Sequence, residues 1–304
     1  MTRRGWESRR LFLLPYPNSF GIRGIVKNPS LMKTHTPILA ALALASPAHA
    51  LVLMLDFGPT TVTGTTDQRN SPYHSVAGPG FTDTVWNKIE GAPVADVPSG
   101  LLFSDNSAAT GVAINFGIGV TSTLVNLATQ PTTGTNALGT ATNTGVYTGT
   151  SVGKDAIFSG TGLEVRNLGV QITGLAAGVY EVFMVTRNTN TNQNYAFTSF
   201  AGAGAAGANF DYVNDGGYVS DTLDYVLNQA PASTWIEEGN TNENYVKLTV
   251  TLTAGQALNL AVQGDATQTR GFLNAVQVVL IPEPSSALLV MGALVPLALR
   301  RKRH

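Results

Sequence analysis

The chain has 304 residues, 43% of them hydrophobic, and 18 Lys and Arg against 19 Asp and Glu, for a formal charge of −1. The absence of cysteine excludes a disulfide framework and a thiolate zinc site, leaving stability to the core. Eleven of the basic residues fall in 1–33 and 300–303, so the body, 51–280, carries seven bases and seventeen acids, a balance that excludes nucleic acid, whose binding rests on phosphate neutralisation.

Residues 1–31 hold Arg3, Arg4, Arg9, Arg10, Arg23 and Lys27 against one acid, Glu7, and show no sustained apolar period. They read as an upstream extension outside the fold, with Met32 as the true start; a genuinely longer leader is the alternative. From Met32 the chain has the order of a secretory signal peptide, 32–50. Lys33 supplies the positive end, Ile38–Ala45 the apolar stretch, and Ala48-His49-Ala50 the cleavage site before Leu51. Export machinery and a signal peptidase are the partners this segment implies.

The body, 51–280, is long enough for one large β domain. Its apolar residues come in short runs separated by Gly, Thr and Asn, the pattern of many short strands. Strands are expected at Leu51–Phe57, Val112–Phe116, Leu163–Ile172, Val179–Thr186, Tyr195–Phe200 and Phe272–Leu280. Val246, Leu248, Val250 and Leu252 alternate with polar residues, as do Leu258, Leu260 and Val262 beyond Ala254-Gly255-Gln256. These two segments read as a hairpin. Thr129–Thr150 and Thr186–Asn194 are polar enough to be placed in surface loops. The expected fold is all-β, a two-sheet sandwich of jelly-roll kind.

Leu55-Asp56-Phe57-Gly58, Trp86-Asn87, Gly174–Val182 and Phe272–Val279 give the body a resemblance to galactose-binding-like jelly rolls of exported bacterial proteins. The resemblance implies the fold and glycan contact, and carries no catalytic residues.

Chemistry has few footholds. His74 is the only histidine of the body, so a Ser-His-Asp arrangement would have to be built on it, and a lone loop histidine is more often an exposed polar residue. Acids cluster at Asp211, Asp215, Asp221 and Asp224 and at Glu237 and Glu238, which leaves a hydrolase with a carboxylate pair as the rival reading. Asp211 and Asp215, beside Gly216 and Gly217, could instead offer oxygens to calcium, although the spacing departs from the D-x-[DN]-x-[DN]-G loop. A tight turn is the plainer reading of that stretch, and no other cofactor is expected. Glycan contact would need flat aromatic faces beside amides. Trp86, Trp235, Tyr73 and Tyr195, with Asn87, are the residues available, and each can equally fill the core.

The last segment, 281–304, has three parts in order: Pro282-Glu283-Pro284, an apolar run from Ala287 to Leu299 predicted as a short helix, and Arg300-Arg301-Lys302-Arg303. The run is shorter than the roughly 20 residues of a permanent span. Terminal basic residues are retained on the cytoplasmic side, which would leave the Pro-Glu-Pro break at the outer face. An ordinary membrane anchor or a buried helix is the alternative. The order resembles the PEP-CTERM sorting tail, which implies recognition by an exosortase, a membrane enzyme, after transient insertion. The expected protein is an exported, non-enzymatic surface or extracellular-matrix component, released into or attached within extracellular polysaccharide of a bacterial biofilm.

Overall fold

The computed structural model describes residues 51–134, 145–147, 151–159, 166–188, 195–225, 232–240, 242–265 and 269–282. The upstream extension, the signal segment with Ala48 and Ala50, and the tail from Glu283 through Arg303 lie outside the described residues. The fold is all-β, as expected. Its strands are β1 (Val52–Phe57), β2 (Asn87–Ile89), β3 (Ala113–Val120), β4 (Leu124–Val125), β5 (Thr132–Gly134), β6 (Ala156–Phe158), β7 (Arg166–Thr173) and β8 (Gly178–Val185). They continue with β9 (Tyr195–Ala205), β10 (Phe210–Asp211), β11 (Val219–Tyr225), β12 (Val246–Leu252), β13 (Gln256–Gly264), β14 (Phe272–Leu273) and β15 (Ala275–Ile281). Two short helices, α1 (Thr65–Arg69) and α2 (Pro72–Ala77), precede β2.

Two five-stranded sheets form the sandwich. Sheet I has the order β12-β8-β15-β1-β2, and sheet II the order β11-β9-β13-β7-β3. All neighbours are antiparallel except β1 and β2. Between the sheets lie the inward residues of every long strand, among them Leu53, Leu55, Phe57, Phe116, Leu168, Val170, Met184, Leu260 and Val276. Phe57 and Phe116 meet edge to face across this core, centroids 6.3 Å apart.

The alternation of β12 and β13 is as expected, but the hairpin is not. β12 pairs with β8 in sheet I, whereas β13 pairs with β7 and β9 in sheet II. At the turn, Gln256 N–H donates to the Thr253 carbonyl at 3.1 Å and Gln256 Oε1 accepts from Thr253 N–H at 2.8 Å. The turn therefore carries the chain from one sheet to the other, and the two apolar faces look at each other across the core. Alternation specifies which side of a strand is buried, not which strand lies beside it. The β7–β8 connection makes the same crossing. There Gly174 has φ 77°, and a Cβ would stand 1.9 Å from the Gly111 carbonyl oxygen, so only glycine fits.

The segment expected as one strand, Phe272–Leu280, is broken at Asn274. β14 pairs with β6 in a small sheet beside β5, and β15 enters the centre of sheet I. Fully buried Asn274 fills its hydrogen-bonding capacity at the break. Its amide donates to the carbonyls of Gly153 and Asp155 at 3.1 and 2.9 Å, and its oxygen accepts from Arg187 N–H at 2.6 Å.

Both outer faces of the sandwich are covered, which the two-layer expectation lacks. Val52, Met54, Phe183, Val185 and Val279 point outward from sheet I and are capped by Tyr147, Val152, Trp235, Tyr73, Phe81 and Trp86. Parts of the expected surface loops belong to this cover. Val146, Tyr147, Thr186, Arg187 and Asn188 are buried, because apolar outward positions on sheet I require something over them.

On sheet II the cover is the two-stranded ribbon of β4 and β10. It lies flat because the row beneath it is small: Gly117 pairs with Gly169, which pairs with Ala261. A Cβ on Gly169 would stand 2.2 Å from Val125 Cγ1.

Candidate functional site

The aromatic residues singled out in the sequence come together, but as filling. Trp235 is buried, its indole N–H donating to Asn70 Oδ1 at 3.0 Å, its ring 6.0 Å edge-on from Tyr147. Trp86 is half-buried and donates to the Gln68 carbonyl at 2.8 Å. Tyr73 packs between Phe81 and Phe183, with centroids at 4.8 and 5.4 Å. Asn87 ties strands and loop together: its amide donates to the carbonyls of Met54 and Leu102, and its oxygen accepts from Leu102 N–H at 2.9 Å. Tyr195 opens β9, and its side chain lies outside the described residues.

His74 sits on α2 under the same cover, 6% exposed. Its Nε2 faces the Asp83 carbonyl at 2.5 Å, an oxygen that can only accept, so Nε2 carries the proton. Nδ1 then accepts from the Ser71 hydroxyl at 2.6 Å, and Ser71 Oγ accepts in turn from Gln277 Nε2 at 3.0 Å. Burial lowers the histidine's pKa, which keeps the ring neutral. Serine and histidine are thus joined as in a nucleophile and base, but Ser71 is fully buried and the third member is a backbone carbonyl. The arrangement holds α2 on sheet I.

The acids behave in three ways. Asp211 is a turn former: Oδ1 accepts from Thr123 Oγ1 at 2.8 Å and from the N–H groups of Val213 and Asn214, and Oδ2 from Asn214 Nδ2 at 2.7 Å. Against a desolvation that pushes upward, these bonds from Asn214, Thr123 and Val213 hold its pKa down at about 2. Asp215 accepts from Asp211 N–H at 2.7 Å, so the pair proposed for calcium is a closed Asx-type turn. No group of three or more metal-ligating side chains occurs among the described residues.

Glu238 is different. A hydrogen bond with the Asp221 carboxyl, then burial and the charges of Asp221, Glu243 and Glu237, push its pKa up to about 7. Two carboxyls sharing a proton stand closer than the separation of roughly 5 Å used by retaining glycosidases. Glu237 pairs with Lys247 at 3.3 Å, and Asp224 N–H donates to Glu243.

Sequence reasoning missed Asp56 as a titrating group. It points outward from β1 under the cover of sheet I, and desolvation, with the charge of Asp155 beside it, raises its pKa from 3.8 to about 8. Asp155 accepts from Thr60 N–H at 2.6 Å. The signal was an acid placed inside the apolar run of β1.

Two of the clefts among the described residues have polar side chains in their lining. One, of about 470 Å³, lies beside α2 between Leu51, Tyr73, Phe81, Asp83, Ser104 and Asp105. The other, of about 440 Å³, lies on sheet II at the end of the β4–β10 ribbon. Asn167 of β7 and Gln263 of β13 form its floor; Thr121, Ser122 and Thr123 form one wall, and Asp211 and Asn214 the other. Thr121 is held at φ 52°, a conformation β-branched residues rarely adopt. Of these residues Asp211 and Asn214 belong to a stretch that stands out in the sequence. The rest are uncharged residues at outward strand positions and in a turn, which no sequence pattern marks.

Fold and clefts together define an all-β, two-sheet sandwich with both faces covered. No family model matches the chain, and no curated protein matches it either. Among the described residues no helix is long and apolar enough to cross a membrane.

Proposed function

We propose that the chain is an exported surface or extracellular-matrix protein, sorted through its tail by an exosortase-type membrane enzyme, with a non-catalytic sandwich that contacts extracellular polysaccharide. The observation that carries this reading is the order of parts in the tail: Pro282-Glu283-Pro284, then an apolar run, then Arg300–Arg303. The positions of the junctions support it. Pro282 is exposed and follows the last residue of β15, and Leu51, 41% exposed, precedes the first residue of β1. Leu51 and Pro282, the described residues next to the two predicted processing points, both lie outside the strands.

The test is intact-mass and terminal sequencing of the protein recovered outside the cells of a host that carries the sorting enzyme. The expected chain begins at Leu51 and ends near Pro282-Glu283-Pro284. A recovered chain that still carries Arg300–Arg303 contradicts the sorting reading.

A further inference from the structure

The cleft on sheet II has a floor with unmet hydrogen-bonding capacity. Asn167 is 2% exposed; its amide donates to the Ser122 carbonyl at 2.8 Å, but its Oδ1 finds no donor among the described residues. Buried carbonyls are nearly always satisfied, and this unmet oxygen belongs to a residue that lines the cleft. Gln263 stands beside it. Leu168 and Val262 are cross-strand partners, and Asn167 and Gln263 lie one step on, both on the outward face of sheet II. Gln263 Oε1 accepts from Tyr212 Oη at 3.3 Å, which leaves Nε2 to donate. One acceptor and one donor are therefore presented side by side.

Charge narrows the ligand. Among the described residues of the lining there is no Lys, Arg or His, so an anion finds no counter-charge from them. Asp211 already accepts four hydrogen bonds, and a cation would have to dismantle the turn it holds. Apart from threonine methyls the lining is polar, which disfavours an apolar ligand. A pair of adjacent sugar hydroxyls donates and accepts at neighbouring atoms without charge, and so matches this donor and acceptor.

We infer that this cleft binds a neutral glycosyl unit, one hydroxyl donating to Asn167 Oδ1 and its neighbour accepting from Gln263 Nε2. The inference rests on the glycan-contact part of the proposed function and moves that contact from the aromatic cover of sheet I to an amide floor on sheet II. Glucose, galactose, mannose and N-acetylglucosamine are the probes, each offered to the full chain in mild detergent and read by saturation-transfer NMR, with calcium and with EDTA.

At least one sugar is expected to bind in the millimolar range regardless of calcium. Gln263→Leu, with its fold checked by circular dichroism, is expected to weaken it at least tenfold, and Asn167→Leu likewise. Because Asn167→Leu also removes the bond to Ser122, Gln263→Leu is the deciding variant. A sugar held equally well by Gln263→Leu overturns this site while the glycan-contact reading stands. Absence of binding by every sugar overturns both. Binding that requires calcium and is lost in Asp211→Ala marks a cation site and also overturns the inference.

Discussion

Leu280 donates its backbone N–H to the carbonyl of Leu51 at 3.2 Å, so the end of the last strand is fastened to the residue that precedes the first. β1 and β15 are antiparallel neighbours with Val52 opposite Val279. The start of β1 and the end of β15 therefore lie side by side at the same end of two interior strands of sheet I, and a tether on either would hold the same pole of the sandwich.

Asp56 makes stability depend on pH. Its folded pKa of about 8 lies above the ordinary 3.8, so the folded chain keeps a proton that the unfolded chain gives up in that window. The sign follows: the folded state binds more protons, and stability falls as pH rises from about 4 to 8, then levels off. The slope from this one group is at most about 1.4 kcal/mol per pH unit. Glu238, pushed up to about 7, acts in the same direction. Asp56→Asn is expected to flatten the slope and to raise the guanidinium midpoint at pH 8 relative to the parent chain, and Glu238→Gln gives that second group's separate share. An unchanged slope in Asp56→Asn means that the carboxyl ionises within the fold.

Much of the sandwich was legible in the sequence because its strands alternate cleanly. Val246, Leu248, Val250 and Leu252 were assigned to one face from their spacing, and all four are buried. What could not be read was adjacency, since the same spacing fits a hairpin and a crossing between sheets. The outer layers were hidden for another reason. Gly117 and Gly169 look like strand breakers in a sequence, yet in the fold they are the floor on which Val125 rests. The cleft was less legible still, because Asn167 and Gln263 acquire meaning only when β7 and β13 are placed side by side.

The glycine floor can be tested directly. Gly169→Ala places a methyl 2.2 Å from Val125 Cγ1 and is expected to cost about 1–3 kcal/mol through overpacking. Gly169→Ala combined with Val125→Ala should recover part of that loss, although Val125→Ala alone opens a cavity. Urea unfolding of the four chains in a double-mutant cycle measures the coupling. Strictly additive losses would show that the ribbon does not bear on the glycine row.

The turn at Asp211 separates a structural carboxylate from a calcium ligand. Asp211→Ala removes four accepted bonds and is expected to destabilise the chain by about 1–2 kcal/mol. Its folded pKa of about 2 lies below the ordinary value, so this contribution is present above about pH 4 and is lost as pH falls through 2. Thermal melts of parent and variant are expected to be the same with calcium and with EDTA. A melting temperature of the parent that drops on chelation is the contrary result.

The tail yields the prediction that bears most on function, because its three parts should fail differently. Neutralising Arg300, Arg301, Lys302 and Arg303 removes the attraction to the cytoplasmic membrane surface, on the order of 1 kcal/mol per residue, and the chain is expected to pass through the membrane uncut. Glu283→Gln or Pro282→Ala leaves the apolar run whole, so each variant is expected to reach the membrane and accumulate there unprocessed. Deleting Ala287–Leu299 abolishes retention, and the uncut body should appear in the soluble fraction. Pro282 follows β15 directly, and Leu280 and Ile281 are still paired with Tyr180 and Val179. A failure of the Pro282 variant must therefore be shown to arise from recognition and not from fraying of the strand. Circular dichroism and the urea midpoint of Pro282→Ala, expected to match the parent, make that distinction. The readout is the mass and membrane association of each chain in a host with the sorting enzyme. If the Glu283 and Pro282 variants are cut and released like the parent, the tail is only an anchor and the sorting proposal fails.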